Sequence, residues 1–268
     1  MSDGKGDVSA TSFQATPILF DDTLYLCTPF NRIVALDPRN GKARWTYDPK
    51  VEIRKSNATR KTDGGALRCR GVAAWADGRA APGAACAKRI FEGVIDGRLV
   101  AVDAATGRPC ADFGSGGTVD VNALPNLGEG QVNFSSPPAV FEDLVIVGTS
   151  IGDNVQANMP HGFVRAFDAR TGALVWSWDP IPAALAAATG AGNTWAPLAV
   201  DPARGLVFLP TSSPSPDYFG GERTAEMPYT SAVVALNART GERAWHFQTI
   251  RHDLWDYDLA SQPALVTI

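Results

Sequence analysis

The chain of 268 residues has no run of basic residues, and its formal net charge at pH 7 is only -4. The absence of a basic patch argues against nucleic acid as a partner. Long hydrophobic runs are also absent, because the longest weakly polar stretch, residues 181–192, is broken by Pro182 and two glycines. A stretch of that length cannot span a bilayer. Hydrophobic residues nevertheless make up 45% of the chain, which is enough for a sizeable core.

The amino terminus lacks the basic-then-apolar pattern of a secretory signal peptide. Residues 1–12 are small and polar, so we expect a disordered or vector-derived segment there, followed by one domain over residues 13–268. The pattern leaves two possibilities, a cytosolic chain or a chain from which a targeting segment is missing.

Cysteine is scarce, and none of the four cysteines belongs to a CxxC pair, which argues against a structural zinc site. The four are Cys27, Cys69, Cys86 and Cys110. An even count fits two disulfides formed in an oxidising compartment, and four buried thiols fit equally well. The pairing stays open at this point.

One pattern occurs four times: a short apolar strand, an Asp or Asn, small residues, a glycine and a second strand. The turn glycines are Gly41, Gly107, Gly172 and Gly241. They follow one another at spacings of 66, 65 and 69 residues, and such a period indicates a repeated supersecondary unit.

A tryptophan stands four residues after the glycine in three units, as Trp45, Trp176 and Trp245, whereas the second unit has Ala111 there. A large ring at a fixed offset is suited to packing one unit against the next. Upstream of the repeats, segments such as 17–26 add a second strand pair, which gives four strands per period. We therefore predict an all-β fold, a β-propeller of four-stranded blades rather than a sandwich.

The pattern Ala-x-Asp-x-x-x-Gly-x-x-x-Trp resembles the tryptophan-docking repeats of quinoprotein dehydrogenases, and also repeats of non-catalytic outer-membrane assembly scaffolds. The segments between the repeats resemble one branch of the enzymes, the membrane-associated pyrroloquinoline-quinone (PQQ) dehydrogenases of glucose, quinate, shikimate or polyols. These segments are Thr23-Leu-Tyr-Leu-Cys-Thr28, Cys69-Arg-Gly-Val72, Gly152-Asp-Asn154, Asn193-Thr-Trp-Ala-Pro197 and His252-Asp-Leu-Trp-Asp-Tyr-Asp258. The resemblance extends in order from about Thr16 to Ile268.

This resemblance implies an eight-bladed propeller, of which the chain holds about four blades. It implies PQQ and Ca²⁺ or Mg²⁺ as cofactors, and oxidation of an alcohol group on a sugar, cyclic polyol or hydroxy acid. The implied partners are the alcohol, a quinone electron acceptor and the remaining half of the propeller, from the same longer chain or from another copy. The implied location is the periplasm, with attachment to the inner membrane left open.

Four residues match the positions at which the family contacts its cofactor. Trp195 matches the stacking tryptophan, and it lies outside the register of the blade-packing tryptophans. Arg70 matches an arginine that binds a cofactor carboxylate through its planar guanidinium. Ser135 and Ser150 match hydroxyl positions near the other carboxylates, although serines are also common in β-turns.

The metal ligands that the resemblance implies are oxygen donors, which suit Ca²⁺ or Mg²⁺. Asp153 matches the carboxylate ligand, with Asn154 beside it, and Ser215 matches a further oxygen ligand that Asp217 could replace. Asp256 is the expected general base and a metal neighbour. The alternative for its segment is a solvated acidic turn.

Strand-like alternation would divide the last cluster into two faces. Leu254, Asp256 and Asp258 would lie on one side, and Asp253, Trp255 and Tyr257 on the other.

One departure from the family concerns the substrate. Glucose-oxidising relatives have a histidine three residues before the cysteine that matches Cys69, whereas this chain has Ala66. Glucose is therefore in doubt, and neither the exact substrate nor the choice of Ca²⁺ or Mg²⁺ follows from the sequence. A non-catalytic scaffold and an inactive fragment of such an enzyme stay as alternatives.

Overall fold

A computed structural model describes residues 11–51, 67–128, 130–223 and 225–266. The strands of the first sheet are β2 (Ile18–Phe20), β3 (Thr23–Cys27), β4 (Ile33–Leu36) and β5 (Ala43–Tyr47), preceded in the chain by β1 (Thr11–Phe13). After β6 (Leu67–Cys69), the second sheet holds β7 (Ala73–Ala76), β8 (Lys88–Gly93), β9 (Arg98–Asp103) and β10 (Thr118–Asp120). The third holds β11 (Ala139–Phe141), β12 (Leu144–Val147), β13 (Val164–Asp168) and β14 (Leu174–Trp178). The fourth holds β15 (Ala199–Asp201), β16 (Leu206–Pro210), β17 (Ala232–Asn237) and β18 (Arg243–Gln248).

Helical structure in the described residues is confined to short 3₁₀ turns at Val121–Ala123, Ala183–Leu185 and Gly220–Glu222. No helix among these residues has both the length and the apolar character needed to cross a membrane.

Each four-stranded sheet is an antiparallel meander in which chain order equals spatial order. The first strands of successive sheets contact one another, β7 with β11 and β11 with β15. Sheets that meet along their first strands are blades arranged around a common axis, with those strands innermost. The prediction of an all-β, four-stranded-blade propeller, present in part, is confirmed.

The three largest hydrophobic clusters among the described residues lie between neighbouring blades. One core joins Tyr25 and Ile33 of the first blade to Ile90 and Val100 of the second. Two further clusters join the second blade to the third and the third to the fourth. Because neighbouring blades cover both faces of the second and third blades, the middle strands of these blades, β8, β9, β12 and β13, are almost entirely buried.

The repeat tryptophans make contacts from one blade to the next. The ring of Trp45 covers Gly107, and its Nε1 donates to the carbonyl of Ala104 at 3.0 Å. Trp176 covers Gly241 in the same way, and its Nε1 donates to the carbonyl of Ala238 at 3.1 Å. The fixed offset between glycine and tryptophan thus places each ring on the glycine turn of the following blade.

The second blade, which has Ala111 at the tryptophan position, uses a different side chain. Trp75 of its first strand donates from Nε1 to the carbonyl of Glu142 in the third blade, at 2.9 Å. The guanidinium of Arg170 lies 5.0 Å from the centre of the Trp75 ring and pairs with Asp77. An indole and a cation therefore join these two blades without the repeat tryptophan.

All four cysteines are oxidised, in the pairs Cys27–Cys69 and Cys86–Cys110. This resolves the choice between disulfides and thiols. The first disulfide joins β3 to β6, and β6 pairs in parallel with β1. The expected boundary between residues 12 and 13 falls inside β1, so Thr11 and Ser12 belong to the folded region. Residues 1–10 and Ala66 lie outside the described residues.

Candidate cofactor and metal site

The segments that lead into the inner strands carry the candidate cofactor residues. Arg70 precedes β7, Ser135 precedes β11 and Trp195 precedes β15. The backbone N–H of Arg70 donates to the carbonyl of Ser135 at 3.0 Å, and the hydroxyl of Ser135 donates to the carbonyl of Trp195 at 3.3 Å. Three residues spread over 125 positions of sequence are thus linked in a row at one end of the blades.

The indole of Trp195 is fixed by charged groups. The guanidinium carbon of Arg70 lies 4.8 Å from the ring centre, within cation–π distance. The indole Nε1 donates to Asp258 Oδ2 at 2.6 Å. Burial, together with the nearby charge of Arg68, lowers the pKa of Arg70 to about 10. A partly desolvated guanidinium beside an aromatic ring is suited to a planar anionic ligand.

Buried polar atoms without a hydrogen-bond partner in the described chain surround this row. They are Oδ1 of Asn133, Oγ1 of Thr149 and Oγ1 of Thr194. Ser150 lies beside them, since its backbone N–H and carbonyl both pair with those of Asn133. Orphaned buried acceptors and hydroxyls are costly unless a ligand or water satisfies them. Their presence therefore fits a polar ligand such as PQQ.

Thr149 and Thr194 were missed by the sequence analysis, although each directly precedes a predicted contact, Ser150 or Trp195. The signal would have been two pairs of adjacent polar residues beside apolar strands, Thr149-Ser150 after β12 and Asn193-Thr194 before β15.

Next to the row lies a cluster of four carboxylates with raised pKa values, Asp153, Asp217, Asp256 and Asp258. For each of them burial is the largest cause of the raised pKa. The pKa is about 6 for Asp217 and about 7 for Asp258, and that of Asp153 lies well above its usual value. Oδ2 of Asp217 is buried without a partner in the described chain. An electrostatic field of this kind stabilises a bound cation, and the oxygen donors fit a hard divalent ion.

The predicted metal ligands differ in their burial and in their contacts. Ser215 is buried, and its hydroxyl donates to the carbonyl of Asp153 at 2.6 Å, which connects two predicted ligands. Asn154 is exposed on the adjoining turn.

Across the described ranges, the sets of three potential ligand atoms within 4.8 Å of one another all include disulfide sulfurs. A disulfide sulfur is not a thiolate ligand. The carboxylates of the acidic cluster are therefore more widely spaced than in a closed metal site.

The segment that carries Asp256 is a loop after β18, and the expected strand-like alternation is wrong in one respect. Trp255 and Tyr257 are both exposed, which fits the shared side predicted for them, but Asp253 is buried at 1% exposure instead of sharing that side. The reason is local: Asp253 accepts hydrogen bonds from the backbone N–H groups of Trp255 and Tyr257, both at 3.0 Å. A carboxylate that binds its own following backbone bends the chain into a turn.

Asp256 lies in the middle of this turn. Its φ of 59° is in the left-handed region, which Asp tolerates better than most residues. The phenol of Tyr218 donates to Asp256 Oδ2 at 3.1 Å. Burial raises the pKa of Asp256, and this hydrogen bond opposes the increase. The predicted base is thus half-buried, and sequence reasoning missed its hydrogen bond from Tyr218.

Comparisons with known proteins agree with this arrangement. The family model for the β-propeller domain of PQQ glucose/ethanol/alcohol dehydrogenases matches residues 1–268. The chain is 37% identical over 283 residues to quinoprotein glucose dehydrogenase A of Acinetobacter calcoaceticus, covering 98% of this chain and 34% of the relative. It is 37% identical over 281 residues to the quinate/shikimate dehydrogenase (quinone) of Acinetobacter baylyi, covering 94% of this chain and 33% of that relative.

Among solved structures, the quinohemoprotein alcohol dehydrogenase of Comamonas testosteroni superposes with a TM-score of 0.76 at 25% identity, over 96% of this chain and 38% of that one. The chain spans about a third of the length of the curated relatives that it matches. The family match over the whole chain shows that it belongs to the PQQ-dependent glucose/ethanol/alcohol dehydrogenase β-propeller family.

Proposed function

We propose that this chain is the PQQ- and metal-binding half of the propeller of a dehydrogenase. This dehydrogenase oxidises an alcohol group on a sugar, cyclic polyol or hydroxy acid. One observation carries the proposal: the row of Arg70, Ser135 and Trp195, with its orphaned polar atoms, lies beside the acidic cluster. The names of relatives indicate the substrate class, since they include dehydrogenases of glucose, quinate/shikimate and glycerol.

PQQ is a flat tricarboxylate quinone, and the residues of the row suit its two chemical features. Trp195 offers an aromatic surface, and Arg70 offers a planar cation for a carboxylate. The hydroxyls of Ser135 and Ser150 and the orphaned Thr149 and Thr194 offer hydrogen bonds to the other polar atoms. When bound, PQQ supplies a two-electron acceptor and the divalent cation polarises its reactive carbonyl.

The acidic cluster would hold the cation and accept the proton. Asp153 and Asp217 are the best placed to bind it, because both are deeply desolvated carboxylates and Asp217 has an oxygen without a partner. Ser215 holds the turn of Asp153, and the exposed Asn154 completes the set predicted for the metal. Asp256 takes the proton of the substrate hydroxyl, and a nearby cation keeps it ionised for that role.

The rest of the protein would supply further blades. Trp245 occupies the same position in its blade as Trp45 and Trp176, yet it is 44% exposed. We propose that a further blade, from the rest of the same chain or from another copy, covers Trp245. A quinone is the proposed acceptor of the electrons. The two disulfides support the periplasm as the proposed location, because disulfides persist in oxidising compartments.

The experiment is a titration with PQQ in the presence and absence of Ca²⁺ or Mg²⁺. Quenching of tryptophan fluorescence reports PQQ binding. Dye reduction by the full-length protein with a panel of sugars, polyols and hydroxy acids then tests turnover. Asp256→Asn should retain PQQ binding and lose most turnover, by about a hundredfold or more, as expected for removal of a general base. Absence of PQQ binding by both the chain and the full-length protein would contradict the proposal and favour the scaffold or inactive-fragment alternatives.

A further inference from the structure

Asp258, two residues after the predicted base, uses both carboxylate oxygens for hydrogen bonds within the chain. Oδ2 accepts from the indole Nε1 of Trp195 at 2.6 Å, and Oδ1 accepts from the backbone N–H of Ser213 at 2.8 Å. Trp195 lies before the inner strand β15 and Ser213 follows β16. The carboxylate therefore ties the loop after β18 to two other parts of the fourth blade.

The bond to Trp195 differs in kind from the indole bonds that join the blades. Trp45, Trp75 and Trp176 donate to neutral backbone carbonyls at 3.0, 2.9 and 3.1 Å. Trp195 donates to a carboxylate at 2.6 Å. A hydrogen bond to a carboxylate is shorter than one to a neutral carbonyl and, when the carboxylate is ionised, about twice as strong. The orientation of the Trp195 ring is therefore held more firmly than blade packing requires.

The Trp195 ring is also restrained at its backbone, where its carbonyl accepts from the hydroxyls of Ser135 and Ser136. With its carbonyl and the edge of its indole both bonded, rotation about its side-chain torsions would break a charge-assisted bond. The plane of the ring is thus set by Asp258.

Ser213 extends this restraint to Asp256. Its N–H binds Asp258 and its hydroxyl donates to Oδ2 of Asp253 at 2.8 Å. Asp253 in turn accepts from the N–H groups on either side of Asp256. Ser213 therefore donates hydrogen bonds to residues on both sides of Asp256, namely Asp253 and Asp258. Asp258 also accepts a hydrogen bond from Trp195.

We propose that Asp258 is a positioning residue that sets the plane of the Trp195 indole and fixes its location relative to Asp256. The part of this proposal that concerns PQQ rests on the proposed function. Each oxygen of Asp258 already accepts one hydrogen bond, from the indole or from the Ser213 N–H. Asp217, by contrast, has a buried carboxylate oxygen without a hydrogen-bond partner among the described residues, which favours Asp217 for the metal.

The first test needs no cofactor. The chain has seven tryptophans, so a ¹H–¹⁵N spectrum should show seven indole N–H resonances, of which Trp195→Phe identifies one. Asp258→Asn should move that resonance upfield by more than any other indole resonance, because an amide oxygen replaces the carboxylate acceptor. Asp201→Asn, the matched control in the same blade, should leave it nearly in place, because Asp201 pairs with Arg204. An unmoved Trp195 resonance in Asp258→Asn would overturn the proposal.

The second test is a double-mutant cycle on PQQ affinity with Asp258→Asn and Trp195→Phe, measured in EDTA and in Ca²⁺. Each single variant should weaken binding about tenfold in both conditions, which matches the loss of one hydrogen bond to a charged group. In the Trp195→Phe background, Asp258→Asn should add less than about a twofold loss, because the two residues act together.

Two outcomes separate this proposal from the proposed function. A loss that occurs only with Ca²⁺ and persists in the Trp195→Phe background would make Asp258 a metal ligand and refute a positioning role. A wild-type chain that binds no PQQ but shows the expected indole shift refutes the cofactor assignment and leaves the positioning of Trp195 standing. If Asp258→Asn does not fold, the wild-type spectrum provides the test. The Trp195 indole N–H should resonate downfield of those of Trp45, Trp75 and Trp176, which donate to backbone carbonyls, and a Trp195 resonance within their range would overturn the proposal.

Discussion

The ring of Trp45 lies so close to Gly107 of the next blade that a Cβ at Gly107 would be 2.5 Å from it. Gly41 occupies the same position in the first blade with the same φ of 70°, but no described atom lies within 4 Å of a Cβ built there. Comparison of the two positions therefore distinguishes two requirements for glycine. One is the left-handed backbone, which both positions have, and the other is space beside the indole, which only Gly107 needs.

We predict that Gly107→Ala destabilises the chain by about 2 to 5 kcal/mol, from left-handed backbone strain plus overlap with the indole. Gly41→Ala, the matched control, should cost only the strain, about 1 to 2 kcal/mol. Urea unfolding followed by circular dichroism measures both. Equal losses for the two variants would mean that tryptophan docking does not contribute to the requirement for glycine.

The two disulfides give a second pair of matched variants. Cys27→Ser with Cys69→Ser should lower the free energy of unfolding by about 2 to 4 kcal/mol and should also weaken PQQ binding, because Arg70 directly follows Cys69. Cys86→Ser with Cys110→Ser removes the disulfide associated with the outer part of the second blade. It should cost a similar free energy and leave PQQ affinity unchanged. A decrease in PQQ affinity in both double variants would point to general loosening rather than to Arg70.

His161 predicts a dependence of stability on pH. The buried ring faces acceptors at both nitrogens, with Nδ1 2.7 Å from Asp179 Oδ2 and Nε2 3.1 Å from the carbonyl of Ala186. Burial lowers the pKa of His161, but the hydrogen bond and charge of Asp179 raise it more, and the net pKa is raised. The protonated ring therefore stabilises the fold, fully below the unfolded pKa of about 6.5 and progressively less as pH rises through the folded value.

His161→Gln tests this dependence. The difference in unfolding free energy between wild type and variant should be largest near pH 6 and should shrink toward about pH 8.5, where the neutral ring can donate to only one of its two acceptors. Urea titrations over that range provide the measurement. A difference that does not change with pH would show that His161 does not exchange a proton on unfolding.

The blades could be predicted from the sequence because their determinants are local. The Asp or Asn, the glycine and the tryptophan of each repeat lie within a dozen residues, and the same turn chemistry applies each time. The structure even repeats a bulge after Ala35, Ala166 and Ala235, each of which pairs with the repeat tryptophan. Replacement of the second tryptophan by Trp75 was not predictable, because that contact crosses between blades at another strand.

The site could be predicted only where single residue types matched the family. Contacts that depend on long-range geometry were missed, such as the bond between Trp195 and Asp258, 63 residues apart. The inward turn of Asp253 was missed for a related reason. Strand-like alternation assumes regular extended backbone, whereas Asp253 binds the N–H groups of its own loop, and hydroxyls of the fourth blade, Ser213 and Ser231, hold it inside.

Asp217 allows the metal assignment to be tested without turnover. Burial, followed by the charge of Asp256, raises the pKa of Asp217 to about 6. A carboxylate whose folded pKa exceeds its unfolded value of about 3.9 destabilises the fold as pH rises between the two values, and the full cost is present above them. In EDTA near pH 7, Asp217→Asn should therefore unfold at a higher temperature than wild type.

Addition of Ca²⁺ should reverse that order. Wild type should gain about 2.7 kcal/mol when Ca²⁺ is present at a hundred times its dissociation constant, because the ion binds only the folded state. Asp217→Asn should gain clearly less. Asp201→Asn serves as the control in the same blade, because Asp201 pairs with Arg204 outside the acidic cluster, and its response to Ca²⁺ should equal that of wild type. A full Ca²⁺ response in Asp217→Asn would remove Asp217 from the metal site and leave Asp153 and Asp256 to hold the ion.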